Sequence, residues 1–447
     1  MEIGTTNWRT AIWALSVGVV LADSSVVTLA LPDILREYDT SVFGVSWVLT
    51  AYNLVLAALI IPASHLARRL PFRTWGVGIG VFGLASLGCA LAPDVGSLIV
   101  GRCVQAAGGA AILAGAIEMI ARARGGHRSG ALLWGTAGTI GLVLGPALGG
   151  TLTQLLSWES IFFLQVPMLG LLVAVPALLP APERGPEGPD RDRRPEIALA
   201  LLSAGLTAAL FLLVVLLTEG WGLSPLAAAA VVSVMPAAAL LAGRISLAGP
   251  DSGHLAIAGS IVIVGGLAGL GVLPGATVDL VIAPQLLIGV GLALTLPVLT
   301  AAALGDRDPR GARASETLAA RHAGIVVGIL LLTPLLSSQL QAQADAGRDA
   351  GTALLLDSPI PAQAKLEVAV AVDQQITSAD QLPDLAPAFD GIDVDEADRS
   401  ALNALEEGIN DQLERAATHA FSLPFLGAAL FAALSLLAMW HLRRSDP

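Results

Sequence analysis

Apolar residues in this chain run on in long blocks, neither alternating with polar ones nor confined to one helical face. Twelve blocks can be read: 11–31, 45–63, 75–92, 97–119, 131–153, 159–179, 197–217, 225–242, 255–274, 279–303, 315–340 and 421–442. A helix that crosses the hydrocarbon core of a bilayer needs about 20 mostly apolar residues, so each block is expected to be a spanning helix. The strands of an outer-membrane barrel would alternate apolar and polar residues over about ten positions, and these blocks do not. The first block is too long for a cleavable leader, has only Arg9 as a basic start, and contains Asp23; it is read as a retained helix.

The polar stretches between blocks orient the bundle. With the N-terminus inside, the inner segments collect seventeen arginines, among them Arg68, Arg69, Arg122, Arg244 and Arg313, against Arg36 alone in the short outer loops. Cations concentrate on the cytoplasmic side, so both termini are expected there. The stretch Pro180 to Pro195 is charged and rich in Pro and Gly, which reads as an inner linker between two sets of six helices. The expected organisation is an N-terminal six-helix half at 1–180, a cytoplasmic linker at 181–196, and helices 7–11 at 197–340. An outer segment at 341–420 follows, then helix 12 and a cytoplasmic tail at 421–447. Two such halves around a linker suit a transporter, although channels and membrane enzymes can also carry twelve helices.

Composition agrees. The 447 residues are 55% hydrophobic and 13% charged, where soluble domains carry roughly 25% charged residues. The net charge of -12 would suggest an acidic surface and argues against a nucleic-acid partner. It is not spread evenly: residues 341–420 hold four cations and sixteen acids, so the remaining chain is neutral. Cys89 and Cys103 are too few for a disulfide framework or a zinc site, and both are read as buried inert thiols.

Four stretches carry a family resemblance. Leu21-Ala-Asp-Ser-Ser-Val-Val-Thr-Leu-Ala-Leu-Pro32, followed by Trp47-Val-Leu-Thr-Ala-Tyr52, places an acid within the first block. Gly101-Arg102-Cys-Val-Gln105-Ala-Ala-Gly108-Gly109 opens the fourth. Gly141-Leu-Val-Leu-Gly145-Pro146-Ala-Leu-Gly149-Gly150 lies in the fifth, and Ser157-Trp158-Glu-Ser-Ile-Phe162-Phe163-Leu-Gln165-Val-Pro167 leads into the sixth. Together they resemble the major facilitator superfamily, and specifically its drug:proton antiporter branch that usually has fourteen helices. The resemblance is good over residues 10–180, weaker through Gly222-Leu-Ser-Pro225 and from Gly289 to Leu340, and absent from the outer segment. The branch's two extra central helices have no counterpart, so an all-α membrane protein of twelve helices in the major facilitator fold is expected.

The residues also have a physics of their own. An acid at a helix centre costs about 2.5–3.5 kcal/mol on insertion scales, so Asp23 should face the bundle interior or a wet cavity, where it could bind protons reversibly. The competing reading is an acid satisfied by Ser or backbone groups that only locks its helix. Arg102 cannot lose its proton; it either tunes a nearby acid or snorkels to the interface. Gly141, Gly145, Gly149 and Gly150 strip side chains from one helical face and Pro146 kinks it. The result is close packing that either lets helices rock or is static. Arg321 and His322 lie inside helix 11, and His322 could titrate near neutral pH or serve as a hydrogen-bonded structural residue. Glu118, Glu219 and Asp279 lie near helix ends, where water is expected to reach them.

One departure from the family pattern falls in the loop between helices 2 and 3. The resemblance implies Gly-x-x-x-Asp-Arg-x-Gly-Arg-Arg, but the loop reads Ser64-His65-Leu66-Ala67-Arg68-Arg69-Leu70-Pro71-Phe72-Arg73. Arg68 replaces the acid expected to dock on the start of helix 11, where dipoles favour anions, and Glu316 stands in that first turn. A swapped lock, Arg68 to Glu316 with Arg321 beside it, is one reading of the inner gate; a decayed gate is the other.

The outer segment is too polar for a bilayer. Its ends read as helices, with Leu402, Leu405, Ile409 and Leu413 on one stripe. Pro359, Pro361, Pro383 and Pro387 punctuate a loop between them, and its acids lack calcium-loop spacing. A solvated cap over the outer opening, or a docking surface for an extracytoplasmic partner, is expected.

By resemblance, the chain exports an amphipathic small molecule (a drug-like compound, a lipid or a secondary metabolite) against inward proton flow. It would do so as a monomer in the cytoplasmic membrane of a bacterium. Asp23, Arg102 and His322 are the coupling candidates. No cofactor, metal, catalytic residue or nucleotide-binding loop is expected. The alternatives are an importer or uniporter on the same fold, and a non-transporting receptor or scaffold working through the outer segment.

Overall fold

The computed structural model describes residues 3–123, 144–173, 192–243, 252–304, 310–378 and 395–440, together with 385, 388–389 and 391–392. Among the described residues there is no strand. Helices α1 (Ile3–Thr28), α2 (Leu31–Glu37), α3 (Val42–Arg69), α4 (Pro71–Ala90) and α5 (Val95–Ala123) come first. They are followed by α6 (144–155) and α7 (Ser160–Phe163), with a 3-10 turn at Val166–Val173. After the linker come α8 (Arg194–Val215, continued by a π turn to Gly220), α9 (Pro225–Val232), α10 (Val234–Gly243), α11 (Ser252–Gly271), α12 (Val278–Leu304) and α13 (Arg310–Asp357). The last three are α14 (Ala362–Ser378), α15 (Glu396–Ala420) and α16 (Ser422–Met439).

Local chemistry marks the starts of these helices. Ser41 caps α3 by accepting from the Gly44 amide at 3.0 Å, which supplies an acceptor to an end that has none of its own. Ser224 does the same for α9, accepting from Ala227 at 3.3 Å, with Pro225 at the first helical position. Pro71 likewise opens α4, with only Leu70 between it and the end of α3.

Nine helices among the described residues are long and apolar enough to cross a membrane. α11, with 20 residues, would reach about 30 Å at 1.5 Å per residue. The expected blocks 131–153 and 159–179 fall partly outside the described residues, and Gly141 lies outside them altogether. Large apolar side chains such as Leu84, Val100, Leu241 and Leu437 point away from the bundle, as befits helices whose solvent is lipid.

α5 is the hub of the first group, packed on α4, α3 and α1; α8 is the hub of the second, packed on α13 and α16. α13 also lies along α3 and joins the groups. Gly324 and Gly328 of α13 sit so close to the backbone at Ala200 and Ala204 of α8 that a methyl group at either would collide with a carbonyl oxygen. One apolar cluster joins Val26, Leu31, Val48 and Phe162 to Leu212, Val232, Ile288 and Phe425; a second gathers Trp13, Tyr52, Trp75 and Phe82 and takes in Leu318 of α13.

α13 is 48 residues long, about 72 Å at 1.5 Å per residue, so it continues well past the bundle. There it meets α14 and α15 around a separate core of Leu355, Ile360, Val368, Phe389, Leu402, Leu405 and Ile409. The stripe of α15 is thus its buried face, with Leu402 only 1% exposed. Residues 362–378, expected within a loop, are a helix instead. Pro361 immediately precedes it, and proline is compatible with a helix start. The base of this cap is tied to the bundle where Trp221 Nε1 donates to Thr418 Oγ1 at 2.9 Å.

Candidate functional site

A polar cluster lies inside the first helical group. Asp23 of α1 and Arg102 of α5 are both fully buried and pair at 2.5 Å, Arg102 NH1 to Asp23 Oδ2. The other carboxylate oxygen, Oδ1, accepts from Gln165 Nε2 at 2.8 Å. Arg102 also donates through Nε to the Val48 carbonyl at 3.3 Å and through NH1 to Gln105 Oε1 at 2.5 Å. Its guanidinium carbon lies 4.0 Å from the centre of the Tyr52 ring and 5.7 Å from that of Phe162. A planar guanidinium can lie over an aromatic ring and still direct its N–H donors to acceptors at its edge.

The amides close the network. Gln105 Nε2 donates to Gln165 Oε1 at 2.6 Å and to Ser86 Oγ at 2.8 Å, while Ser86 Oγ donates to the Phe82 carbonyl at 2.7 Å. Tyr52 donates to the Val20 carbonyl at 3.3 Å. Two opposite charges removed from water are stable only when the remaining lone pairs and protons are matched. Four helices and the turn after α7 supply most of that match, leaving Arg102 NH2 without a hydrogen-bond partner among the described residues. Asp23 is thus held by a cation and a neutral donor, one on each oxygen, so that a proton arriving there would compete with both.

α6 runs close against α1 one turn beyond Asp23. A methyl group at Gly145 would collide with Ser25, and one at Gly149 with the Val26 carbonyl. Gly150 faces the other way, 2.6 Å from the Pro225 carbonyl of α9 when given a methyl group. Pro146 is buried in the same helix. α6 is therefore wedged between α1 of the first group and α9 of the second.

His322 of α13 is buried and its Nδ1 lies 2.7 Å from Asn53 Oδ1 of α3. Asn53 Nδ2 donates to the Leu49 carbonyl at 2.8 Å, which fixes the amide orientation, so Nδ1 of His322 must carry the proton. Arg321 is partly buried, and its Nε has no hydrogen-bond partner among the described residues. Arg68 is exposed at the end of α3, its carbonyl accepting from Arg122 at 3.2 Å, and Glu316 is half-buried in the early turns of α13. Glu118, expected to be wet, is buried at 7% exposure because α5 is enclosed at that level. Glu219 bridges to Arg36 at 3.3 Å, joining the end of α8 to α2. Asp279 is exposed. Cys89 is buried and Cys103 partly so, both as free thiols.

Sequence reasoning assigned no role to Gln105, Gln165, Tyr52 or Asn53. Gln105 and Gln165 do stand in the quoted motif stretches. Their signal is the presence of uncharged polar groups in apolar blocks, which are too common to single out without the tertiary contacts.

The family model of the Major Facilitator Superfamily matches residues 13–337. An uncharacterized MFS-type transporter of Mycobacterium tuberculosis is 38% identical over 184 residues, covering 39% of this chain and 32% of the relative. The methylenomycin A resistance protein of Streptomyces coelicolor is 36% identical over 35% of this chain and 34% of its own length. The putative multidrug resistance protein MdtD of Escherichia coli is 31% identical over 52% and 48%. The chain thus spans about a third to a half of the length of these relatives. In structure, it is similar to a bacterial homolog of the human lysosomal transporter Spinster in its inward-facing, unoccupied conformation. That similarity has a TM-score of 0.62 at 14% identity and covers 98% of both chains, a likeness of fold. With a family match over most of its length and apolar helices that suit it, the chain belongs to the Major Facilitator Superfamily.

Proposed function

We propose that this transporter exports an amphipathic small molecule by alternating access in exchange for protons, with Asp23 as the proton site. The observation that carries the reading is the fully buried pair of Asp23 and Arg102. An ionised Asp23 holds Arg102 on one oxygen and Gln165 on the other. A proton on the carboxylate removes the charge that neutralises Arg102, and a buried guanidinium left alone is strongly disfavoured. Arg102 then leans on Gln105 and the Tyr52 ring, which couples the event to α3 and, through Asn53 and His322, to α13. The Gly145–Gly150 face lets α6 slide between α1 and α9 without losing contact. Arg68 and Glu316, with Arg321 nearby, would close the inner mouth.

The names of the relatives support the substrate class: methylenomycin A resistance and multidrug resistance point to drug-like or secondary-metabolite compounds. The arginine-rich loops support a cytoplasmic placement of both termini in a bacterial inner membrane. The halves at 1–180 and 197–340 would rock about the linker, with the helical cap of 341–420 standing over the outer opening.

The test is substrate-driven proton movement in proteoliposomes loaded with a pH-sensitive dye. Wild type should acidify the proton-receiving side when a drug-like substrate is transported, and Asp23→Asn should not. Transport that persists unchanged in Asp23→Asn would turn the reading toward an importer or uniporter.

A further inference from the structure

At the end of the bundle that bears the cap, an ion pair crosses from one helical group to the other. Arg36 NH1 of α2 meets Glu219 Oε1 at 3.3 Å, where α8 finishes in its π turn, Leu216–Gly220. A single π turn is a common mark of a functional site, and here it carries Glu219. The backbone fixes the shape of this ending. The Leu223 amide donates back to the Leu217 carbonyl at 2.8 Å, and Gly222 takes a φ of 64°, which glycine adopts without strain.

Arg36 has a second carboxylate within reach. Asp33, three residues earlier on its own helix, already pairs with it through NH2. Loss of Glu219 would therefore not strand the guanidinium, because Arg36 would fall back on Asp33. A contact with a spare partner on one side is suited to opening and closing. Glu219 is held from the other side by the cap. α15 packs on the π turn, and Trp221, two residues beyond Glu219, donates from Nε1 to Thr418 Oγ1 at 2.9 Å. Thr418 Oγ1 donates in turn to the Glu414 carbonyl at 2.8 Å. α15 runs into α16 with only Phe421 between them, and α13 passes unbroken from the bundle into the cap. The cap is thus built onto the second group, and its base lies against the residue that reaches across to the first.

We propose that Arg36 and Glu219 form a latch that closes the cap end of the transport path, and that the cap braces this latch through Trp221 and Thr418. Asp33 is the partner that keeps Arg36 when the latch opens. The proposal rests on the alternating-access reading but not on Asp23 as the proton site. It gives the acidic outer segment a part in gating.

The test is the distance between spin labels at Leu91→Cys, at the end of α4, and Val272→Cys, at the end of α11, both exposed positions. Cys89→Ala and Cys103→Ala remove the native thiols, and the full chain is measured in nanodiscs by double electron–electron resonance without cargo or proton gradient. Opening of the cap end should lengthen this distance. Glu219→Gln should raise the share of the longer distance about two- to fivefold, the range for a partly exposed ion pair, and Arg36→Gln should do the same. Asp33→Asn should not raise it. Thr418→Val and Trp221→Phe should each raise it, by less than Glu219→Gln. An unchanged distribution in Arg36→Gln overturns the latch; Arg36 is largely exposed, so this variant stays readable if Glu219→Gln does not fold. A rise in Asp33→Asn overturns the exchange of partners, and wild-type distances in Thr418→Val and Trp221→Phe overturn the brace. Proton-coupled transport with distances that never change sinks the latch alone. Distances that respond as expected, with Asp23→Asn transporting like wild type, sink the proton site alone.

Discussion

Nδ1 of His322 donates a 2.7 Å hydrogen bond to Oδ1 of Asn53 across 269 residues of sequence. It fastens α13 of the second helical group to α3 of the first. Tyr52, the chain neighbour of Asn53, lies on the Arg102 guanidinium. One turn of α3 therefore touches both the buried ion pair and the contact between groups.

Replacing His322 with Phe should leave Asn53 Oδ1 buried without its donor and cost about 1–3 kcal/mol. Removing both partners, Asn53→Leu with His322→Phe, should cost less than the sum of the single changes. Chemical denaturation of the purified protein in detergent, read as a double-mutant cycle, checks this. Strict additivity would mean that the two side chains do not cooperate.

The ion pair should show the asymmetry of buried charges. Arg102→Met leaves Asp23 without its cation and is expected to destabilise by about 3–5 kcal/mol. Adding Asp23→Asn to that variant should recover part of the loss, since no lone charge remains. Melting temperatures of wild type, Arg102→Met and the double variant decide it. A double variant less stable than Arg102→Met would contradict the pairing as the source of the cost.

These residues differ in how visible they are in the sequence. A charge in an apolar block stands out, so Asp23 and Arg102 draw notice from hydropathy alone, as do the glycines and Pro146 of the fifth block. Gln105, Gln165 and Asn53 do not: an uncharged amide barely lowers the hydropathy of its helix, and whether it faces Asp23 or His322 depends on how helices far apart in sequence are arranged. Glu118 shows the opposite error. Its position near a helix end suggested water, but neighbouring helices enclose α5 there and leave it 7% exposed. The cap was legible at its ends through the α15 stripe. α14 was not, because Pro361 reads as a breaker when it stands at a helix start. The expectation of twelve spanning helices rests on blocks that the described residues cover only in part.

The α6–α1 contact predicts a selective rescue. Gly145→Ala would place a methyl group against Ser25, a side chain, whereas Gly149→Ala would place one against the Val26 carbonyl, which is backbone. Each should cost about 1–3 kcal/mol as overpacking. Ser25→Gly should relieve Gly145→Ala, and no side-chain change at position 26 should relieve Gly149→Ala. Folded yield and melting temperature in detergent measure both. Rescue of Gly149→Ala by Val26→Gly would show that the backbone approach is not the constraint.

Tyr38 reports on the burial and the negative charge that surround the end of α2. The chain has two tyrosines, so Tyr52→Phe leaves Tyr38 as the single phenol, and its ionisation can be followed by absorbance near the ultraviolet phenolate band. The midpoint should lie near 12, against an ordinary 10, because burial and the carboxylates of Glu37, Glu159 and Asp94 all disfavour phenolate. Removing one carboxylate, Glu37→Gln, should lower the midpoint but leave it above 10, since burial is the largest cause. The linkage has a definite sign. The folded protein keeps a proton that the unfolded chain releases above pH 10, so stability falls as pH rises from 10 to 12. Tyr38→Phe should flatten that part of the alkaline limb, read as the difference in melting temperature between pH 9 and 11. A midpoint near 10 in the Tyr52→Phe protein would mean that neither burial nor negative charge acts on Tyr38.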